Sequence, residues 1–168
     1  RMGPAPARPS ASSFAITSQY FLFFGVMGLY LPYFNLYCYH LGFSGMDIGV
    51  LSALRAVTLV VFPLLWGIAA DRTHRRRPIY ILCHVASTGI WAAFLFTEDF
   101  TAMAVITVAY GVFYAPIISF LEAISMDMLG REKSSYGRVR MWGSLSFIAV
   151  VLGAGPIIDA FSARVIIP

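Results

Sequence analysis

The chain falls into five long apolar stretches separated by four short polar interruptions. A helix needs about 20 mostly apolar residues to cross the hydrocarbon core of a bilayer. Residues 14–39, 48–70, 79–97, 101–128 and 141–161 meet that requirement. The polar connections are 41–47, 71–77, 98–99 and 129–138. Connections this short imply antiparallel neighbours packed as a bundle. Residues 1–13, rich in Pro, Ala and Ser, read as a disordered tail, and 14–168 as the helix bundle. The apolar stretch after the tail is too long for a secretory signal and lacks a small-residue cleavage site. Val165-Ile-Ile-Pro168 reads as the start of a sixth span. The predicted class is an all-α polytopic membrane protein.

Composition agrees. Hydrophobic residues make up 59% of the chain and charged residues 12%, whereas soluble domains carry about 25% charged residues. The net charge of +4 does not point to nucleic acid, because the basic residues cluster between spans. Their expected contact is the anionic lipid of the bilayer's inner leaflet. Arg1 and Arg8 precede the first span, Arg72, Arg75, Arg76 and Arg77 follow the second, and Arg131, Lys133, Arg138 and Arg140 follow the fourth. Ten of the twelve basic residues thus fall on one side, against His40, Asp47, Glu98 and Asp99 on the other. The positive-inside rule then puts the N-terminus in the cytoplasm.

Cys38 and Cys83 lie in apolar spans without metal-ligand spacing and read as free thiols. His40, His74 and His84 are scattered over different depths, unlike the clustered groups of an intramembrane enzyme. No metal or cofactor is expected. Tyr33, Tyr37 and Tyr39 read as an interfacial aromatic belt, and Gly25/Gly28 and Gly153/Gly155 as points of close helix packing. Pro32, Pro63, Pro116 and Pro156 each free a backbone carbonyl inside a span.

Three charges have no loop neighbours to account for them: Arg55, Glu122 and Arg140. A charge at the bilayer centre costs at least about 2.5–3.5 kcal/mol, so each must face protein or water. Glu122 and Arg140 lie on consecutive antiparallel spans at similar depth. As a pair they read either as a tie between the two spans or as a substrate site, and Arg140 taken alone as a loop arginine. On a helix, Arg140 shares a face with Gly143, Ser144 and Phe147. That face offers a cation, a hydroxyl and an aromatic plane to a small polar molecule. Arg55 reads as a cavity-facing cation that neutralises an anionic substrate, as a partner for a residue elsewhere in the chain, or as a residue snorkelling to the outer headgroups.

The run Gly67-Ile-Ala-Ala-Asp71-Arg72-Thr-His74-Arg75-Arg76 resembles the G-x-x-x-D-[RK]-x-G-[RK]-[RK] loop of the major facilitator superfamily, with His74 in place of the second glycine. The bare residues add that Gly67 permits close approach of a neighbouring helix. Tyr136-Gly137-Arg138-Val-Arg140-Met-Trp142-Gly143-Ser144 is similar to the [YF]-G-[RK]-x-R-x-[WF]-G-[SC] signature of the branch holding lactose, nucleoside and phenylpropionate permeases. Met27-Gly28-Leu-Tyr30-Leu-Pro32-Tyr-Phe34 resembles that branch's first span. In lactose permease a glutamate eighteen residues before the signature's second arginine helps it read sugar hydroxyls. Glu122 and Arg140 have the same spacing, eighteen residues. Phe147 stands in place of a sugar-stacking tryptophan and Ile118 in place of an alanine, which argues against a disaccharide.

The resemblance implies the N-terminal half of a twelve-span transporter, five spans plus the start of a sixth. It implies alternating access for a small polar solute (a sugar, nucleoside or aromatic or other organic acid) and symport with a proton, whose coupling acids lie in the C-terminal half. Glu122, Arg140, Ser144, Phe147 and Arg55 are the expected substrate residues; Gly67, Asp71, Arg72, Arg75 and Arg76 are the expected gating residues. The expected location is a bacterial inner membrane. The alternative is a drug-efflux antiporter, suggested by Gly155-Pro156 but opposed by Val151 and Asp159-Ala160 where that motif has glycines. A membrane receptor or enzyme is a further, weaker alternative. The topology is testable: in a protein lacking Cys38 and Cys83, a cysteine placed at Arg75 should react with an impermeant maleimide only after the cell membrane is opened. Labelling in intact cells would reverse the arrangement.

Overall fold

The computed structural model describes residues 11–129 and 133–161, with side chains placed for 14–128 and 136–156. It contains five long helices: α1 Ala11–His40, α2 Gly45–Thr73, α3 Arg76–Trp91, α4 Phe100–Leu129 and α5 Lys133–Phe161. A 3₁₀ turn, Ala92–Phe96, extends α3. All five helical segments are long and apolar enough to cross a membrane. Residues 1–10 and 162–168, and with them most of the expected tail and the expected sixth span, lie outside the described residues. Residues 11–13, expected in the tail, are the first turn of α1.

The ends of these helices follow from local chemistry. Ser44 caps α2 reciprocally: the Asp47 amide donates to Ser44 Oγ at 3.2 Å and the Ser44 amide donates to Asp47 Oδ2 at 3.0 Å. Asp99 accepts from the Ala102 amide at 2.9 Å at the start of α4. The fifth helix starts at Lys133, well before the expected residue 141. Arg138 is therefore helical rather than part of a loop. The polar run Ser134-Ser135-Tyr136-Gly137-Arg138 contains no proline, so nothing in it stops a helix that projects beyond the apolar layer.

The packing partners differ from the expectation. α1 lies along α5, and both α2 and α3 lie along α4, while the consecutive pairs α1/α2, α2/α3 and α4/α5 touch far less. Small residues explain these partners better than loop length does. A Cβ on Gly25 would sit 2.9 Å from Ser146 Oγ, one on Gly28 3.1 Å from the Phe147 carbonyl oxygen, and one on Gly143 2.7 Å from the Phe24 ring. α1 and α5 can therefore meet only where these three side chains are missing. Gly111 does the same for α2 and α4, against Thr58. By contrast, nothing among the described residues lies within 4 Å of a Cβ built on Gly67 or Gly153. The expected close approach at those two positions is not made here.

Large aromatic side chains fill the wider space between α1 and the α2–α3–α4 group. The Tyr30 ring stands edge-on to Trp91 at 5.0 Å and to Tyr110 at 5.3 Å, and Tyr110 stacks on Tyr114 at 4.8 Å. Tyr37 belongs to this buried core, and the Tyr33 hydroxyl donates to the Val151 carbonyl at 2.7 Å. Of the three tyrosines expected at the membrane interface, Tyr39 alone is exposed. Cys38 and Cys83 are buried free thiols.

Pro116 shows how the bundle repairs a helix defect. Lacking an N–H, it leaves the Val112 carbonyl without its helical donor. The Trp66 indole of α2 donates to that oxygen at 2.8 Å. Trp66→Phe should therefore destabilise the detergent-solubilised protein by about 1–3 kcal/mol, the cost of an unmade buried hydrogen bond. In a Pro116→Ala background the helix supplies its own donor and most of that penalty should vanish. Equal penalties in the two backgrounds, measured by thermal unfolding, would show that Trp66 matters for its bulk alone.

Candidate functional site

Glu122 on α4 and Arg140 on α5 come together as the eighteen-residue spacing predicts. Arg140 Nη1 lies 3.1 Å from Glu122 Oε1. The same nitrogen donates to the Tyr136 hydroxyl at 3.1 Å, one helical turn earlier on α5. Tyr136 is set in turn by an edge-to-face contact with the buried Tyr20 of α1, with ring centres 6.5 Å apart. Three helices thus converge on one guanidinium. The side chains of Arg140 and Glu122 remain 52% and 37% exposed. Both lie inside segments apolar enough to span a membrane, and lipid on that side would carry the intramembrane cost of a charge. The open side of the pair faces water, headgroups or further protein.

Ser144 is exposed and Phe147 half-buried on the same flank of α5. Gly143, which the face also includes, is turned against Phe24 of α1. Ile118, one turn before Glu122, packs partly into the core. Arg55 does not join this group. It lies on α2, with its guanidinium carbon 5.2 Å from the centre of the Tyr30 ring of α1.

The second expected cluster forms at the turn between α2 and α3. The turn is tight despite the missing glycine, because His74 adopts the left-handed conformation, with φ 53° and ψ 29°. The turn directs Arg76 back over α2, where Nη2 lies 3.0 Å from Asp71 Oδ1. Nη1 reaches Asp127 Oδ2 of α4 at 3.4 Å. All three side chains are exposed, so these pairs are weak and readily broken. They flank a recess of about 490 Å³ that also includes His74, Arg75 and Arg77. Arg72 and Arg75 were expected beside Asp71 in this role, yet form no ion pair among the described residues.

Two site residues were missed in the sequence: Tyr136 and Asp127. Tyr136 had a signal, since it precedes Arg140 by four residues and opens the signature that contains it. Asp127 had a weaker one, an acid near the end of an otherwise apolar span. Among the described residues, no three His, Cys, Asp or Glu side chains gather closely enough to hold a metal ion.

Comparisons with known proteins identify the family of the chain. The chain is 26% identical over 148 residues to the maltose permease of Geobacillus stearothermophilus, covering 88% of this chain and 38% of that protein. It is 22% identical over 152 residues to a probable 3-phenylpropionic acid transporter of Escherichia coli (strain K12), covering 88% and 39%. It is 28% identical over 135 residues to a nucleoside permease of the same organism, covering 76% and 32%. The chain thus spans about a third to two fifths of the length of these curated relatives. No solved structure matches significantly. The family described as "MFS_1 like family" matches residues 14–167. With five apolar helices and a family match over nearly its whole length, the chain is an integral multi-pass membrane protein and belongs to the MFS_1 like family.

Proposed function

We propose that the chain forms the N-terminal part of a secondary transporter that moves a small polar solute by alternating access between two halves. The observation that carries the proposal is the half-exposed Glu122–Arg140 pair, which lies within membrane-spanning helices and is oriented by Tyr136. A pair serving only to tie helices would be expected to be enclosed by them. This one presents a charged, hydrogen-bonding edge to whatever lies beyond. The relatives' names supply the solute classes: a sugar, nucleosides and an aromatic acid. They are permeases, so the proposed activity is transport rather than catalysis. In this reading Ser144 and Phe147 line the solute's path, and a proton is the coupling ion. The chain resides in a bacterial inner membrane with its N-terminus in the cytoplasm.

In the full-length protein, Glu122→Gln and Arg140→Lys should each reduce solute binding at least tenfold, because lysine keeps the charge but loses the guanidinium fork. The exposed edge predicts stability changes within about 1 kcal/mol for each. The double variant Glu122→Gln/Arg140→Gln should be folded and inactive. Recovery of solute binding in that variant, followed by equilibrium binding, would leave the pair as a structural tie.

The Asp71–Arg76–Asp127 cluster acts in this scheme as a cytoplasmic latch formed in one conformation. Asp71→Asn and Asp127→Asn should each slow turnover in proteoliposomes severalfold while leaving equilibrium affinity nearly unchanged, since they shift a population rather than the site. Parallel losses of affinity and turnover would place these aspartates in the solute site instead.

A further inference from the structure

Arg55 lies ten residues into α2, about 15 Å along the helix at 1.5 Å per residue, and has no acidic partner among the described residues. Its contact with the Tyr30 ring offsets part of the charge but supplies no strong hydrogen-bond acceptor. Nη1 is buried and has no hydrogen-bond partner. The same is true of the Tyr30 hydroxyl beside it and of the Tyr114 hydroxyl, on a ring 6.0 Å from that of Tyr30. Tyr30 is 4% exposed and Tyr114 9%, so neither hydroxyl has a ready alternative in solvent. Elsewhere in the bundle some freed or buried polar groups find partners, as at Trp66, Ser125 and Ser146, while the Tyr20 hydroxyl, His84 Nε2 and Thr107 Oγ1 do not. What sets Arg55 apart, among the described residues, is that the unpartnered atom is a cationic nitrogen with two unpartnered hydroxyls close by.

The missing partner can be characterised chemically. It must accept hydrogen bonds, carry negative charge, and present more than one oxygen to donors on neighbouring side chains. A carboxylate does all three. It also has a way in. α1 and α2 touch little, Arg55 is only partly buried, and the contact the two helices make beside it is polar, with the Ser52 hydroxyl donating to Asn35 Oδ1 at 3.5 Å.

We propose that Arg55, with the Tyr30 hydroxyl, binds a carboxylate at the loosely packed α1–α2 boundary. Two sources can supply that group. One is the solute, which, resting on the transporter reading above, would narrow the cargo to a small organic acid. The other is an Asp or Glu side chain from the longer full-length protein.

The test uses full-length protein in detergent with benzoate and 3-phenylpropionate, and with benzamide and 3-phenylpropionamide as neutral counterparts. If the solute supplies the group, the acids bind, the amides do not, and Arg55→Gln weakens the acids at least tenfold. Tyr30→Phe weakens them two- to fivefold, and Arg55→Lys retains part of the affinity. If a side chain supplies it, Arg55→Gln leaves the binding of acids unchanged. Arg55→Gln then lowers the melting temperature, and a single Asp→Asn or Glu→Gln change outside these residues restores it. The proposal is overturned if Arg55→Gln changes neither acid binding nor melting temperature, or if it lowers the melting temperature and no such change restores it. Acid binding lost in Arg140→Lys but kept in Arg55→Gln, with the melting temperature of Arg55→Gln unchanged, would overturn the Arg55 site while leaving the transporter reading standing. Full acid binding in Glu122→Gln together with its loss in Arg55→Gln would support the Arg55 site while removing the α4–α5 pair from solute recognition.

Discussion

Inside a membrane the hydrophobic effect gives no preference for one helix neighbour over another, so helices associate where their backbones can come close. In this bundle that constraint selects the partners. Gly25, Gly28 and Gly143 join α1 to α5, and Gly111 seats α4 against Thr58 of α2. The result is two tightly packed groups, α1 with α5 and α2–α3 with α4, meeting across a seam filled with rings. The two sites that hold the unusual charges both bridge that seam. Glu122 reaches from α4 to Arg140 on α5, and Arg55 from α2 to Tyr30 on α1. A solute held at either place would contact both groups at once.

A second constraint acts on polar groups, which have no water to turn to at membrane depth. The bundle meets it mostly with side chain to carbonyl bonds. Ser146 donates to the Phe21 carbonyl at 2.7 Å, Tyr33 to that of Val151 at 2.7 Å, and Ser125 to that of Leu121 at 2.6 Å. The first two also staple α5 to α1, so satisfying a hydroxyl and choosing a neighbour become a single event. Arg55 is conspicuous because its Nη1 is, among the described residues, a cationic nitrogen buried without any such partner.

Much of this was legible in the chain. Span number and approximate limits followed from apolar run length, and the Glu122–Arg140 contact from spacing on two antiparallel helices. Other features depend on geometry that no local pattern encodes. Gly67 looked like a contact glycine, yet which face of α2 meets a neighbour is set by Thr58 and Gly111, a contact made elsewhere on the helix. Tyr37 looked interfacial from its position near a span end, yet it points into the core. Asp127 was unremarkable until the turn at His74 brought Arg76 over it. The start of α5 was misplaced because polarity marks the edge of the bilayer and not the end of a helix.

The turn at His74 has a consequence of its own. The left-handed conformation costs a residue with a side chain about 1–2 kcal/mol, whereas glycine adopts it freely. His74 occupies it nonetheless, with φ 53°, beside three consecutive arginines at the start of α3, where the helix dipole already disfavours positive charge. Two local penalties are thus stored in one short connection, and the acids that gather around Arg76 help to offset the electrostatic one. Once those acids let go, the turn would have reason to unwind, and the barrier to moving α2 against α3 would be lowered by energy deposited when the chain folded. Glycine at the same position would store none, leaving a hinge without a spring.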